Sequence, residues 1–102
     1  HDQRLAWTSH LPQAVSTALA LSLAQSGTPR ADLGPGGRDV TRLAGSDPAM
    51  WADIMIDNAD ALTPALAAMV ARLAGLQRAM TTRDRDELQR LFAEARAWHG
   101  GD

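Results

Sequence analysis

Cysteine, lysine and tyrosine are absent from this 102-residue chain, and phenylalanine occurs once. Without cysteine there is no disulfide framework and no thiolate zinc site, which fits a cytosolic setting. Without lysine, all ten basic residues are arginine. Any anion site must then be built from planar guanidinium forks suited to carboxylates and phosphates, although a GC-rich coding sequence would favour arginine, alanine and glycine at most positions by itself. An excess of basic charge is missing too. The formal net charge is -2 and the pI is near 5.8, which argues against the basic footprint of a general nucleic-acid binder. Apolar stretches fall short of the ~20 residues of a membrane helix, and no basic-then-apolar leader opens the chain. The expectation is a soluble, cytoplasmic protein with no membrane partner. β-branched residues are few and no stretch alternates apolar with polar over strand length, so the chain reads as all-α, and its length as a single domain, 1–102, with one compact core.

The apolar, alanine-rich segment from Leu5 to Gln25 reads as a helix buried on more than one side, with a kink or a fresh start at Pro12. Ser26 to Gly37 is loop by composition, and a short helix is expected from Arg38 to Ala44. Asp47 then caps a helix that begins at Pro48, with Met50, Trp51, Ile54 and Met55 as its buried face. Asn58 or Thr63 caps the next helix, with a break or fresh start at Pro64, and Leu62, Leu66, Met69, Val70, Leu73, Leu76 and Met80 form one stripe. A last helix carries Leu88, Leu91, Phe92, Ala95 and Trp98 and stops at Gly100-Gly101. The sum is a compact bundle of about five helices.

His1, His10 and His99 do not share ligand spacing, which makes a metal site improbable, and neither a nucleophile elbow nor a phosphate loop is present. Two segments are richer. Ser9-His10-Leu11-Pro12 sets a hydroxyl and an imidazole beside a helix irregularity; the ring is either packed with satisfied nitrogens or held at a pocket wall. Gly36-Gly37-Arg38-Asp39-Val40-Thr41-Arg42 leads a glycine loop into a short helix in which Asp39 and Arg42 make an i, i+3 pair. That pair is either a solvated turn worth at most about 1 kcal/mol or an oriented arginine for an anionic ligand.

The blocks His1-Asp2, Ser9-His10-Leu11-Pro12, Gly36-Gly37-Arg38-Asp39-Val40-Thr41-Arg42-Leu43-Ala44 and Ser46-Asp47-Pro48 with Met50-Trp51 and Asp53-Ile54 resemble, in order and spacing, the C-terminal helical domain of prephenate/arogenate dehydrogenases. The resemblance covers the chain to about Asn58. It implies a two-domain, 6-phosphogluconate-dehydrogenase-like enzyme of tyrosine biosynthesis, in which a Rossmann domain binds NAD or NADP and this helical domain supplies substrate contacts and the homodimer interface. It also implies that the chain is the second part alone, with no catalytic residue of its own and no activity by itself, since His1-Asp2 normally lies inside a longer chain. Carried over by position, Arg42 matches the arginine that anchors a carboxylate of prephenate or arogenate. Asp39 matches an aspartate of the ionic network around it, and Ser9 and His10 match the pocket-wall pair. Gln13, counted with these as a substrate contact, stands where many members have a second histidine, Gly37 stands where many have an aromatic residue, and Pro64 interrupts what is often one continuous helix.

Two other functions fit an all-α, arginine-bearing chain. A small helical chorismate mutase commonly uses a lysine with its arginines, and lysine is lacking here. A non-enzymatic helical dimerisation module would need only the apolar first helix and the Met69 to Met80 stripe.

Overall fold

The computed structural model describes residues 2–100; His1, Gly101 and Asp102, with the sequence readings that fall on them, lie outside the described residues. Among those described there is no strand. A helical run opens the chain as α1 (Gln3–Leu5), passes through a π turn (Ala6–His10) and continues as α2 (Leu11–Gln25). After it come α3 (Pro35–Val40), α4 (Pro48–Asp57), α5 (Ala59–Thr81) and α6 (Arg85–His99), with 3-10 turns at Arg30–Asp32 and Arg42–Gly45. Counting the first run as one helix, this is the expected five-helix, all-α architecture. The chain divides into two compact units, the first ending at Leu66 and the second beginning at Ala67.

In the first unit, the irregularity expected at Pro12 is the π turn itself. Proline has no N–H to give to the carbonyl four residues back, and the turn before it widens so that the Leu11 N–H reaches the Ala6 carbonyl, five residues back. The loop after α2 is shorter than expected. Its glycine-rich stretch already forms helix, because Pro35 brings a helical φ to the first turn and needs no N–H partner there. The expected helix from Arg38 to Ala44 is therefore split. α3 ends at Val40, Thr41 leaves helical geometry at φ -96 and ψ 3, and the chain tightens into the Arg42–Gly45 turn.

The Asp47-Pro48 start is as expected, with the Asp47 carboxylate accepting the Met50 N–H at 2.8 Å. The face expected behind it is only partly covered, since Met50 is exposed and Trp51, Ile54 and Met55 are half-buried. No break occurs at Thr63 or Pro64: α5 begins at Ala59 and runs through the proline, its sixth residue. The longest apolar helix is consequently 23 residues, long and apolar enough to cross a membrane by length and composition alone. This overturns the expectation that every apolar stretch is too short. The buried apolar residues of this unit, Ala6, Leu11, Leu62 and Ala65, lie beside buried polar ones: His10, Gln13, Ser16, Thr41 and Asn58.

In the second unit, α5 ends at Thr81, Arg83 takes the left-handed φ of +52, and Asp84 caps α6 by accepting the Glu87 N–H at 3.1 Å. Gly100, at φ +118, closes α6 as the sequence predicts. The apolar stripe is only partly covered among the described residues: Leu62 is buried and Met69 and Leu76 are half-buried, while Val70, Leu73, Met80 and, on α6, Phe92 and Trp98 are exposed. On α6, Arg90 donates to both Glu87 oxygens at 2.6 and 3.0 Å and to Glu94 at 3.0 Å. The Arg90 hydrogen bonds hold the Glu87 carboxyl below its ordinary value. A carboxylate lowered in the folded state stabilises above its unfolded pKa and loses that contribution as pH falls through the folded one. Exposure keeps the effect small and screened by salt. An NMR titration of Glu87 is expected to give a midpoint below the ordinary glutamate value, restored by Arg90→Gln; an unshifted midpoint would contradict the bidentate pair.

Candidate functional site

Two short 3-10 turns of the first unit carry arginines whose backbones are tied down and whose guanidinium groups have no partner among the described residues. Arg42 begins the Arg42–Gly45 turn, and the next carbonyl, that of Leu43, accepts hydrogen bonds from Gln13 Nε2 and from Ser46 Oγ, both at 2.7 Å. Gln13 is 4% exposed; its Oε1 also accepts from Ser46 Oγ at 3.3 Å, so the side chain is spent on joining α2 to this turn. The residue read as a ligand contact from the sequence is thus placed inside the unit, one peptide away from Arg42. Thr41 Oγ1 donates to the Gly37 carbonyl at 2.7 Å and fixes the bend before it.

Arg42 is exposed and makes no hydrogen bond or ion pair among the described residues. The expected Asp39–Arg42 pair is not formed, because the helix stops between the two residues and the i, i+3 register is lost at Thr41. Arg42 instead lines a cleft of about 430 Å³, floored by Ala20, Leu23 and Ala24 of α2 and walled by Leu33 and Arg30. No acidic residue lines it. Arg38, one turn from Arg42 in sequence, is engaged elsewhere, with Nε donating to the Leu33 carbonyl at 3.1 Å and Nη2 to the Ala31 carbonyl at 3.5 Å. Gly37 meets the same wall, since a Cβ there would come within 3.2 Å of Leu33 Cδ2. An aromatic residue at this position would require Leu33 to move.

His10 faces a different place. It is 8% exposed, its ring meets the Trp51 ring edge-on at 5.9 Å, and its Nδ1 lies 3.0 Å from Asn58 Nδ2. The Asn58 amide is oriented by a peptide: its Oδ1 accepts the Asp2 N–H at 2.6 Å and its Nδ2 donates to the Asp2 carbonyl at 2.9 Å. Nδ2 is therefore the donor to His10, Nδ1 is the acceptor, and the proton of the neutral ring is assigned to Nε2. His10 borders a shallow cleft of about 320 Å³ with Asp2, Leu5, Ile54, Asp57 and Asn58, which Arg42 does not line. Ser9 is half-buried and Asp39 exposed, and neither side chain has a partner among the described residues.

The structure thus brings Gln13 beside the Arg42 turn and keeps Ser9, His10 and Asp39 out of the arginine cleft's lining. Arg30 and Asn58 were not read as site residues. The first sits in a Pro/Gly-rich loop whose path no periodicity fixes, and the second pairs with residues 48 and 56 positions away. The Gly34–Gly37 stretch opens a six-residue helix with no strand before it among the described residues, so this stretch is not the strand–turn–helix cradle of a pyrophosphate.

Residues 1–94 match the family described as prephenate dehydrogenase, dimerization domain. The chain is 40% identical over 100 residues to cyclohexadienyl dehydrogenase of Zymomonas mobilis, covering 93% of this chain and 34% of that protein. It is 28% identical over 109 residues to prephenate dehydrogenase of Bacillus subtilis, covering 99% of this chain and 28% of that protein. It therefore spans about a third of the length of the curated relatives it matches. Among solved structures, Synechocystis arogenate dehydrogenase superposes with a TM-score of 0.86 at 30% identity, over 97% of this chain and 38% of that one. Prephenate dehydrogenase from A. aeolicus, in complex with hydroxyphenyl propionate and NAD+, gives 0.84 at 34% identity, over 97% of this chain and 36% of that one. By the match along nearly its whole length and by its fold, the chain belongs to the prephenate dehydrogenase dimerization-domain family.

Proposed function

We propose that this chain is the substrate-binding and dimerisation domain of a cytoplasmic, NAD- or NADP-dependent dehydrogenase of tyrosine biosynthesis, which oxidatively decarboxylates prephenate or arogenate. The observation that carries the reading is Arg42, a guanidinium with no partner, on a braced turn, in a cleft free of acids. A structural arginine would be neutralised by a neighbouring carboxylate, whereas one kept for a ligand is left with its donors open. Prephenate has two carboxylates, and a bidentate contact to one of them both binds and orients it. Gln13 acts behind Arg42 by holding the Leu43 carbonyl. Ser9, His10 and Asp39 lie outside the lining of the Arg42 cleft and enter the reading as substrate contacts by their matching positions alone. The nicotinamide cofactor is held by a separate dinucleotide-binding domain, which leaves this chain the anion and the dimer contact, and no activity alone.

The exposed Val70, Leu73 and Met80 of α5 support a second copy of the chain as partner. Arg72 stands near the middle of the same helix. A guanidinium at mid-bilayer costs about 2.5–3.5 kcal/mol or more, so this apolar face suits protein rather than lipid. The assay that tests the reading follows reduced nicotinamide. The enzyme carrying this domain is expected to form it on addition of prephenate or arogenate, while the 102-residue chain alone forms none. Chorismate consumption by the chain alone would favour a helical mutase instead.

A further inference from the structure

Arg30 shares the Arg42 cleft and, as in Arg42, its guanidinium has no hydrogen-bond or ion-pair partner among the described residues. Its position is not left to an open loop. The Asp32 N–H bonds the Pro29 carbonyl at 3.0 Å and the Leu33 N–H bonds the Arg30 carbonyl at 3.1 Å, closing the 3-10 turn on both sides of Arg30. Arg38 spends its guanidinium on the carbonyls of Leu33 and Ala31, so one arginine braces the turn that presents another. The result is two free guanidinium groups on two braced turns, set around an apolar floor of Ala20, Leu23 and Ala24 with no acid in the lining. Two uncompensated cations in one cleft repel each other, an arrangement that a ligand with two negative charges relieves and one with a single charge relieves only in part.

We propose that Arg30 is a second anion-binding residue of this cleft, which makes the cleft selective for a dicarboxylate over a monocarboxylate of similar size. The proposal rests on the reading of Arg42 as a carboxylate anchor and deepens it. Arg42 takes one carboxylate and Arg30 the other, with the ring of the ligand over the α2 alanines. On total charge alone, the site then favours prephenate, a dianion, over arogenate, whose ammonium leaves it with one net negative charge.

The test compares two probes in the enzyme carrying this domain: prephenate, and hydroxyphenyl propionate, a monocarboxylate that the A. aeolicus relative binds. Arg30→Gln is expected to weaken prephenate about five- to tenfold, one charge-assisted contact near the surface, and to leave hydroxyphenyl propionate within about twofold. Arg30→Lys, which keeps the charge and loses the fork, should recover part of the loss, and the loss should shrink in high salt. If Arg30→Gln weakens neither probe, or both equally, the inference is overturned while the Arg42 reading stands. If Arg42→Gln weakens neither probe, the Arg42 reading itself is overturned.

Discussion

Replacing Arg42 with glutamine is expected to raise the KM for prephenate roughly 30- to 150-fold in the enzyme carrying this domain, equivalent to about 2–3 kcal/mol for a charge-assisted contact to a carboxylate. The kcat should change far less. Anchoring a carboxylate away from the reacting carbon stabilises ground and transition states alike, and loss of such uniform binding appears in KM. Affinity for the nicotinamide cofactor should be unchanged, since the proposed reading places that cofactor on a separate domain and the Gly34–Gly37 stretch beside Arg42 is no pyrophosphate cradle. The same variant carries a structural control. Because Arg42 is exposed and its side chain has no partner among the described residues, its replacement should leave the melting temperature within about 2 °C of the parent, as for a surface change that breaks nothing. A normal KM would overturn the assignment. A large fall in melting temperature with unchanged KM would instead make Arg42 a structural residue.

How far the sequence reveals this site depends on the range of the interactions that make it. The Asp47-Pro48 cap and the Gly100 stop are read correctly because each is set within four residues by one hydrogen bond or one φ angle. Pro12 marks its irregularity for the same reason. Pro64 misleads: it gives up the N–H that would bond four residues back, yet α5 continues through it, so one missing hydrogen bond does not end a 23-residue helix. The Asp39–Arg42 pair fails because its spacing presupposes a continuous helix that Thr41 ends. The apolar stripe of α5 is legible as a stripe, but its covering is not. Periodicity says that Val70 and Leu73 share a face and is silent on whether this chain or another buries it. Gln13 shows the same limit for polar residues. Its type permits a ligand contact or a bridge to a backbone carbonyl, and only the fold, by bringing Leu43 to within 2.7 Å, decides for the bridge.

The largest effect on stability is expected at Asn58, which is 5% exposed and whose side chain serves two segments at once. In Asn58→Leu the Asp2 N–H, the Asp2 carbonyl and His10 Nδ1 all lose a partner together. The Asp2 carbonyl keeps the Ala6 N–H at 3.1 Å, the Asp2 N–H belongs to an exposed residue that water can still partly reach, and the third is a buried ring nitrogen. A total of about 2–3 kcal/mol follows from the usual cost of orphaned polar groups, or roughly 8–24 °C in Tm for a domain of this size. The helix start itself should survive, because Ala61 and Leu62 bond to the Asn58 backbone carbonyl and not to its side chain. Asn58→Asp should be intermediate. A carboxylate still accepts the Asp2 N–H, but it faces the Asp2 carbonyl with no proton to give, and His10 must turn its proton to Nδ1 to bond it. Nitrogen chemical shifts of His10 report this directly. Nδ1 should be unprotonated in the parent and protonated in Asn58→Asp, and a protonated Nδ1 in the parent would contradict the amide orientation drawn from the Asp2 peptide.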